Sequence, residues 1–443
     1  VLTQVGMPKP IKPQNATEPA VSRSKVEART RRGQSEERSR HIWKLRRTVA
    51  VLTINTNQGV ADVESALARL TECGAETDLL LSTNIKNPPF GGLISLVQLV
   101  ITWRRRCPKS SLLTHVQPGD QMETQLENLA KSDHGLIALL LAYRVLDRKG
   151  ETDLMARSLP LVITRLQKMD KASEAMRGPK FFLCVADDYP DQVSKVLYPH
   201  GRSPVVTNPV PIDGFEELSS AILDRFVKGG KRAKFKEIFT GCVARILNEL
   251  FSNTHFWAQT DELGARLSSS VRGIRAELHT ENIETHLDLT TDTRMLHDYL
   301  EHPKIKIDGK RQSFIEIDVF DSGPGLAARR LLDVRAEDSP SIREEFLAVR
   351  DCVATHYSSS AEFHRGQGLD LVLNTLTQLN GFLRIRTGRL SLARDFVSMP
   401  YSRSRKGVEP KLLDWKTGSA DPTELASSEG TVYSFLIPVP NAD

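Results

Sequence analysis

Three short segments in a fixed order carry the side chains best placed to do chemistry. They are Asn248-Glu249-Leu250-Phe251-Ser252-Asn253, then Asp321-Ser322-Gly323-Pro324-Gly325, then Gly366-Gln367-Gly368-Leu369. Glu249 and Asn253 are four residues apart, so on a helix they share one face, one turn from each other. The amide oxygen of Asn253 suits a hard cation such as Mg2+, which keeps several waters and takes phosphate oxygens as its other ligands. The Glu249 carboxylate can orient or deprotonate a water aimed at a terminal phosphate. Standing alone, such a pair is ordinarily the solvated face of a helix.

Asp321 follows Ser313–Phe320, whose alternating apolar residues read as a strand with one inward face. A carboxylate at a strand end can accept a hydrogen bond from an exocyclic amine such as that of adenine. Gly323 and Gly325 then let the chain turn sharply and a flat base approach. Gly366 and Gly368, with Leu369 behind them, open a helix that runs to Leu379 and stops at Gly381. Glycines at a helix N-terminus free backbone N–H groups for phosphates. His364 and Arg365 are candidate charge partners for the terminal phosphate, with a loop His and a surface Arg as the alternatives, and Thr431, after Gly430 at the start of the last strand, could reach a phosphate oxygen. Each segment has a bland reading, as a turn or a surface loop. All three in this order point to ATP with Mg2+.

The elements that must position these groups are legible in the pattern. From Phe235, apolar residues at Ile238, Phe239, Cys242, Val243, Ile246, Leu247, Leu250 and Phe251 give one helical face that packs on a core. Upstream, strands are expected at Thr48–Ile54, Asp78–Ser82, Ser111–Val116 and Lys180–Ala186. Helices are expected at Val60–Cys73, Leu93–Arg106, Met122–Leu146 and Asp191–Leu197. This alternation implies an α/β layer domain, parallel in part, over 49–210. The Pro-containing stretch Pro204–Pro211 reads as a connection, and Gly214–Val227 as a linker helix broken by Gly229-Gly230. The expected organisation is therefore a leader (1–48), an α/β domain (49–210), a linker helix (211–230) and a second α/β domain (231–443).

Composition bounds the function classes. A chain of 443 residues is too long for one ordinary core. Its 40% hydrophobic and 26% charged content is that of a soluble globular protein. The best apolar run, Gly135 to Tyr143, is too short to cross a bilayer. With no signal-peptide pattern at Val1–Thr48, a cytoplasmic location is expected. The five cysteines are odd in number and lack a Cys-x-x-Cys, which favours reduced thiols over disulfides or a zinc site. Residues 1–48 hold 12 Lys/Arg against 4 Asp/Glu, +8 in a chain whose total is +5, so the remainder is −3. The basic character belongs to a leader expected to be disordered, and nucleic acid could be touched only there.

At this point the sequence resembles a family. Residues from about 231 to 438 are similar to the GHKL ATPase fold shared by DNA gyrase, the heat-shock chaperone, sensor histidine kinases and mismatch-repair ATPases. Glu249 and Asn253 match its N box, Asp321, Gly323 and Gly325 its G1 box, and Gly366 and Gly368 its G2 box. Gly430-Thr431 matches the start of its last strand. The resemblance implies a C-terminal α/β sandwich in which Asn253 binds magnesium and Asp321 the adenine, under a lid over about 326–365. Asp370 departs from the Gly of many members, and 390–429 reads as an insertion. Over Asp78–Val116 the strand–Gly-rich loop–helix–strand pattern looks like a STAS module, with Phe90-Gly91-Gly92 where a phosphorylatable Ser would stand.

The resemblance implies an ATP- and Mg2+-dependent ATP-hydrolysing switch in bacterial signalling or defence, with a protein partner and a homodimer among its expected assemblies. A protein kinase, histidine or anti-sigma serine type, is the first alternative, and a nucleotide-binding pseudo-enzyme the second. His134 is the phosphoacceptor to weigh, but it lacks a following acidic residue and better suits a capping role. Glu249 keeps hydrolysis ahead of the pseudo-enzyme.

Overall fold

The computed structural model describes residues 49–54, 59–85, 90–199, 207–228, 233–306, 311–332, 339–354, 368–402 and 410–440. The chain divides into Val1–Val49 and Ala50–Asp443. Of the first unit only the exposed Val49 is described, so the expected leader lies outside the described residues. In the second unit, strands β1 (Ala50–Ile54), β2 (Thr77–Leu81), β3 (Ser111–Thr114) and β4 (Arg144–Leu146) form a parallel sheet in sequential order. They are joined through helices α1 (Val60–Glu72), α2 (Gly92–Arg106), α3 (Met122–Lys131) and α4 (Asp133–Leu141). Crossovers between neighbouring parallel strands are right-handed almost without exception, so successive helices fall on one face of such a sheet. Burial agrees. The register row Leu52, Leu79, Leu112 and Val145 joins the main core with Val63, Ala66, Leu67 and Leu70 of α1. On the opposite face Leu80, Leu113 and Leu146 form a small separate cluster.

Further along come α5 (Met155–Lys168), α6 (Ala172–Ala175), β5 (Met176–Arg177), β6 (Lys180–Ala186), α7 (Ile212–Phe226), α8 (Ala233–Trp257) and β7 (Val271–Asn282). These are followed by α9 (Ile283–Asp288), α10 (Arg294–Glu301), β8 (Arg311–Asp321), α11 (Leu326–Leu332), α12 (Ile342–Val353) and α13 (Gly368–Gln378). The chain closes with β9 (Phe382–Gly388), β10 (Leu390–Asp395), β11 (Leu413–Asp414) and β12 (Ser428–Val439). The strands form an antiparallel sheet in the order β11-β10-β9-β12-β8-β7-β6-β5.

Four expectations need correction. Lys180–Ala186 is a strand, but it pairs with β7 along its whole length in the antiparallel sheet rather than with the parallel layer. The expected helix Met122–Leu146 is broken at Ser132, whose hydroxyl accepts from the Gly135 N–H and starts a new helix, and Arg144–Leu146 is β4. Asp191–Leu197 forms turns rather than a helix. The segment 390–429 supplies β10 and β11, the edge of the sheet, beside its loops. Among the described residues no helix is long and apolar enough to cross a membrane.

Strand β8 shows how the antiparallel sheet is packed. Ile315, Ile317, Val319 and Asp321 alternate onto one face, with Phe314, Glu316, Asp318 and Phe320 on the other. The first row shares a core with Val243, Ile246, Leu247 and Leu250 of α8. Against the second face lies α2, which packs on β12 as well as on α1 and α4. Its residues Gly92 to Trp103 are all buried, as a helix apolar nearly all round must be.

The joint between α1, α2 and this face is polar. Arg386 makes a bidentate pair with Glu64 of α1 (2.8 and 3.0 Å), and Arg384 donates to Ser95 of α2 at 3.0 Å. Arg384 and Arg386 are 3% and 1% exposed, so their charges depend on these partners. Glu64→Ala is therefore expected to cost about 3 kcal/mol by leaving buried guanidinium groups without their carboxylate. Urea unfolding of the full chain measures it, and an unchanged midpoint would contradict this account of the joint.

Candidate functional site

Asp321 ends β8 on the α8 face and is 7% exposed. Its Oδ1 accepts two backbone hydrogen bonds, from Gly323 at 2.8 Å and from Thr431 of β12 at 3.2 Å. Among the described residues its Oδ2 takes none. Burial pushes the carboxyl up to about 6, against the downward pull of the Gly323 and Thr431 N–H groups. The chain is thus spending stability to keep a carboxylate here.

The turn after Asp321 is fixed on several sides. Gly430 donates to the Gly323 carbonyl at 2.7 Å and has a φ of +74°. A Cβ there would sit 1.9 Å from the Asp321 carbonyl oxygen, so the position excludes any side chain. Gly325 has a φ of +90°, and the following Leu326 N–H donates to the Thr387 hydroxyl of β9 at 2.9 Å. The Ser322 hydroxyl accepts from Val271 at 2.8 Å, and its carbonyl accepts from Arg105 of α2 at 2.6 Å. A Cβ on Gly323 would lie 2.8 Å from the Cα of Ala258, the residue after α8. The end of α8 therefore abuts the Asp321 turn.

On α8, Glu249 and Asn253 are half-buried at the margin of the apolar stripe. The Asn253 side chain makes no hydrogen bond among the described residues. Counting back from Ala258 at about 1.5 Å per residue, Asn253 stands about 8 Å and Glu249 about 14 Å along the helix. Gly366 and Gln367 of the third segment, with His364 and Arg365 before it, lie outside the described residues. Gly368 begins α13, Leu369 packs against the main core, and α13 packs on α8. Asp370 is buried in the first turn of α13, where a carboxylate favours the helix dipole, and it accepts from the Tyr401 hydroxyl. Thr431 stands beside the carboxylate. Its N–H is on Asp321 and its hydroxyl lies 3.2 Å from that of Thr387, so it belongs to the carboxylate end of the site.

Residues without a sequence signal also shape the site. Arg272 of β7 pairs in register with Asp321 and is fully buried. Its guanidinium makes two 3.0 Å bonds to Asp187, and its Nε donates to the Tyr198 hydroxyl at 3.0 Å. The Tyr198 hydroxyl also lies 3.1 Å from Nδ1 of His255, in the last turns of α8. This chain ties β7 and the segment after β6 to the end of α8. Thr387 and Arg105 are the other additions; neither stands near the three segments in sequence. His134 is 3% exposed, with Nε2 at 3.3 Å from the Ser82 carbonyl, and burial lowers it to about 4.

Among the described residues no group of three or more His, Cys, Asp or Glu side chains could hold a metal alone. Comparison with known proteins gives no match to a family model, to a curated protein or to a solved structure.

Because folded Asp321 holds its proton up to about 6, against 3.8 ordinarily, the folded chain binds more protons than the unfolded one between those values. Stability from this group is thus lost as pH rises through the window, to a cost of up to about 3 kcal/mol at neutral pH. Asp321→Asn, which keeps an oxygen for both N–H groups, should stabilise the chain at pH 7, with the gain shrinking towards pH 4. Thermal unfolding across pH checks it; a variant destabilised equally at every pH would refute the assignment.

Proposed function

We propose that this chain binds ATP in the manner of the GHKL ATPases and hydrolyses it with Mg2+, acting as a nucleotide-dependent switch. The observation that carries the reading is the Asp321 carboxylate. It is buried at a cost, oriented through Oδ1 by two backbone donors, and has Oδ2 left over for a ligand. An amine donor such as the adenine N6 group satisfies that oxygen. Gly323, Gly325 and Gly430 let the backbone close tightly around the carboxylate, each standing where a Cβ would strike a neighbouring protein atom.

The order of groups along α8 supports the same reading. From the carboxylate end, Asn253 comes first and Glu249 one turn beyond, as base, metal-bound phosphates and terminal phosphate follow one another in ATP. Asn253 would hold Mg2+ together with phosphate oxygens and waters, a ligand set that needs no carboxylate cluster. The ion, when bound, neutralises charge on the phosphates. Glu249 then orients the attacking water and takes its proton as the oxygen adds to the terminal phosphorus, the bond to the leaving diphosphate oxygen breaking. Gly366 and Gly368 are proposed to offer backbone N–H groups to the phosphates, and Arg365 a positive charge. The four-stranded layer is proposed as the regulatory part through which a protein partner acts.

His134 weighs against the histidine-kinase alternative, since its ring is enclosed between Ser82 and Ser132. Glu249→Gln is expected to lower phosphate release by about 100-fold or more at unchanged ATP affinity. With γ-labelled ATP the label should appear as free phosphate. Equal release rates would remove Glu249 from the chemistry, and label retained on protein would turn the reading to a kinase.

A further inference from the structure

One face of α2 points at the two backbone segments that build the Asp321 turn. Gln98, Thr102, Arg105 and Arg106 recur at the spacing of a single helical face. Gln98 donates to the carbonyls of Arg386 (3.2 Å) and Glu429 (3.4 Å). The Thr102 hydroxyl accepts from the Glu429 N–H at 3.0 Å, and Arg106 donates to the Ser427 carbonyl at 2.7 Å. Arg105 spans the gap: Nη2 donates to the Ser322 carbonyl at 2.6 Å, while Nε lies 3.8 Å from a Glu429 carboxylate oxygen. Ser322 is the residue after Asp321, and Glu429 leads through Gly430 to Thr431, whose N–H holds that carboxylate. Arg105 therefore clamps both halves of the turn through Ser322 and Glu429.

We propose that α2 sets the shape of this turn, with Arg105 as its positioning residue, so that the four-stranded layer regulates nucleotide affinity. The physical route is short. α2 is buried between the parallel layer and β12, and it cannot shift without moving the Ser322 carbonyl and the Ser427–Glu429 backbone. A ligand or partner that displaces the layer thereby changes the donors on Asp321. By linkage, nucleotide on Asp321 biases the layer to the same extent.

This inference rests on the proposed reading of the site, and a titration of the full chain with fluorescent ATP and GTP analogues separates the two. Arg105→Met is expected to weaken ATP binding about tenfold and to narrow the preference for ATP over GTP, with Arg105→Lys in between. A purely structural role would lower the thermal midpoint and leave the ATP-to-GTP ratio untouched. Arg105→Met binding ATP within about twofold of wild type, while Asp321→Asn abolishes binding, would overturn the positioning role and leave the site standing. Should Arg105→Met not fold, Arg105→Lys carries the same comparison, and wild-type affinity and preference in it would overturn the role. Wild type that binds neither nucleotide would overturn the reading of the site and this inference with it.

Discussion

The two hydrogen bonds on Oδ1 of Asp321 join the end of β8 to the start of β12 and define the site. Gly323 supplies one N–H from the turn and Thr431 the other from the neighbouring strand. The turn can close only because Gly430 has no side chain to strike the Asp321 carbonyl. Once closed, it presses Gly323 on Ala258 and so fixes where α8 ends relative to the carboxylate. The Thr387–Thr431 pair and the Leu326 N–H on Thr387 carry the constraint to β9 and into α11. Burial that raises the carboxyl opposes all of this, and a fold under no demand for an anion would have an easier solution in an amide or an apolar residue.

The second constraint is that α2 serves two sheets. Its all-round apolar surface satisfies the parallel layer and the main core, while its polar positions meet the backbone of β12 and the Asp321 turn. The adjacent buried pairs, Arg386 with Glu64 and Arg384 with Ser95, set the register of the two layers more sharply than apolar contact alone would. An apolar joint tolerates sliding, whereas a bidentate pair has one geometry. The layer and the candidate site are thereby parts of one mechanical unit even though they are remote from each other in sequence.

Much of this was legible in the residues. The alternation in Ser313–Phe320 and the stripe from Phe235 to Phe251 marked the strand and the helix that deliver Asp321, Glu249 and Asn253, since one-faced burial leaves a period in the sequence. The parallel strands were legible through their Val, Leu and Ile runs. What failed had no local signal. Lys180–Ala186 reads as a strand, but its partner Val271–Asn282 lies some 85 residues on and fixes its sheet only through folding. Ser132, in the polar stretch Lys131–His134 between two apolar runs, is a helix cap rather than part of one long helix. The bond from the Thr431 N–H to Asp321 depends on strand register, which sequence spacing does not reveal. Arg105, Thr387 and Arg272 entered the site from elements remote in sequence.

The central claim is that the open oxygen of Asp321 receives the base of ATP. Determining a structure of the full chain with a non-hydrolysable ATP analogue and Mg2+ tests it most directly. The account predicts the adenine amine within hydrogen-bond distance of Asp321 Oδ2, the ion on Asn253, and the terminal phosphate facing Glu249. A nucleotide bound away from Asp321, or a turn left empty at saturating analogue, would contradict it.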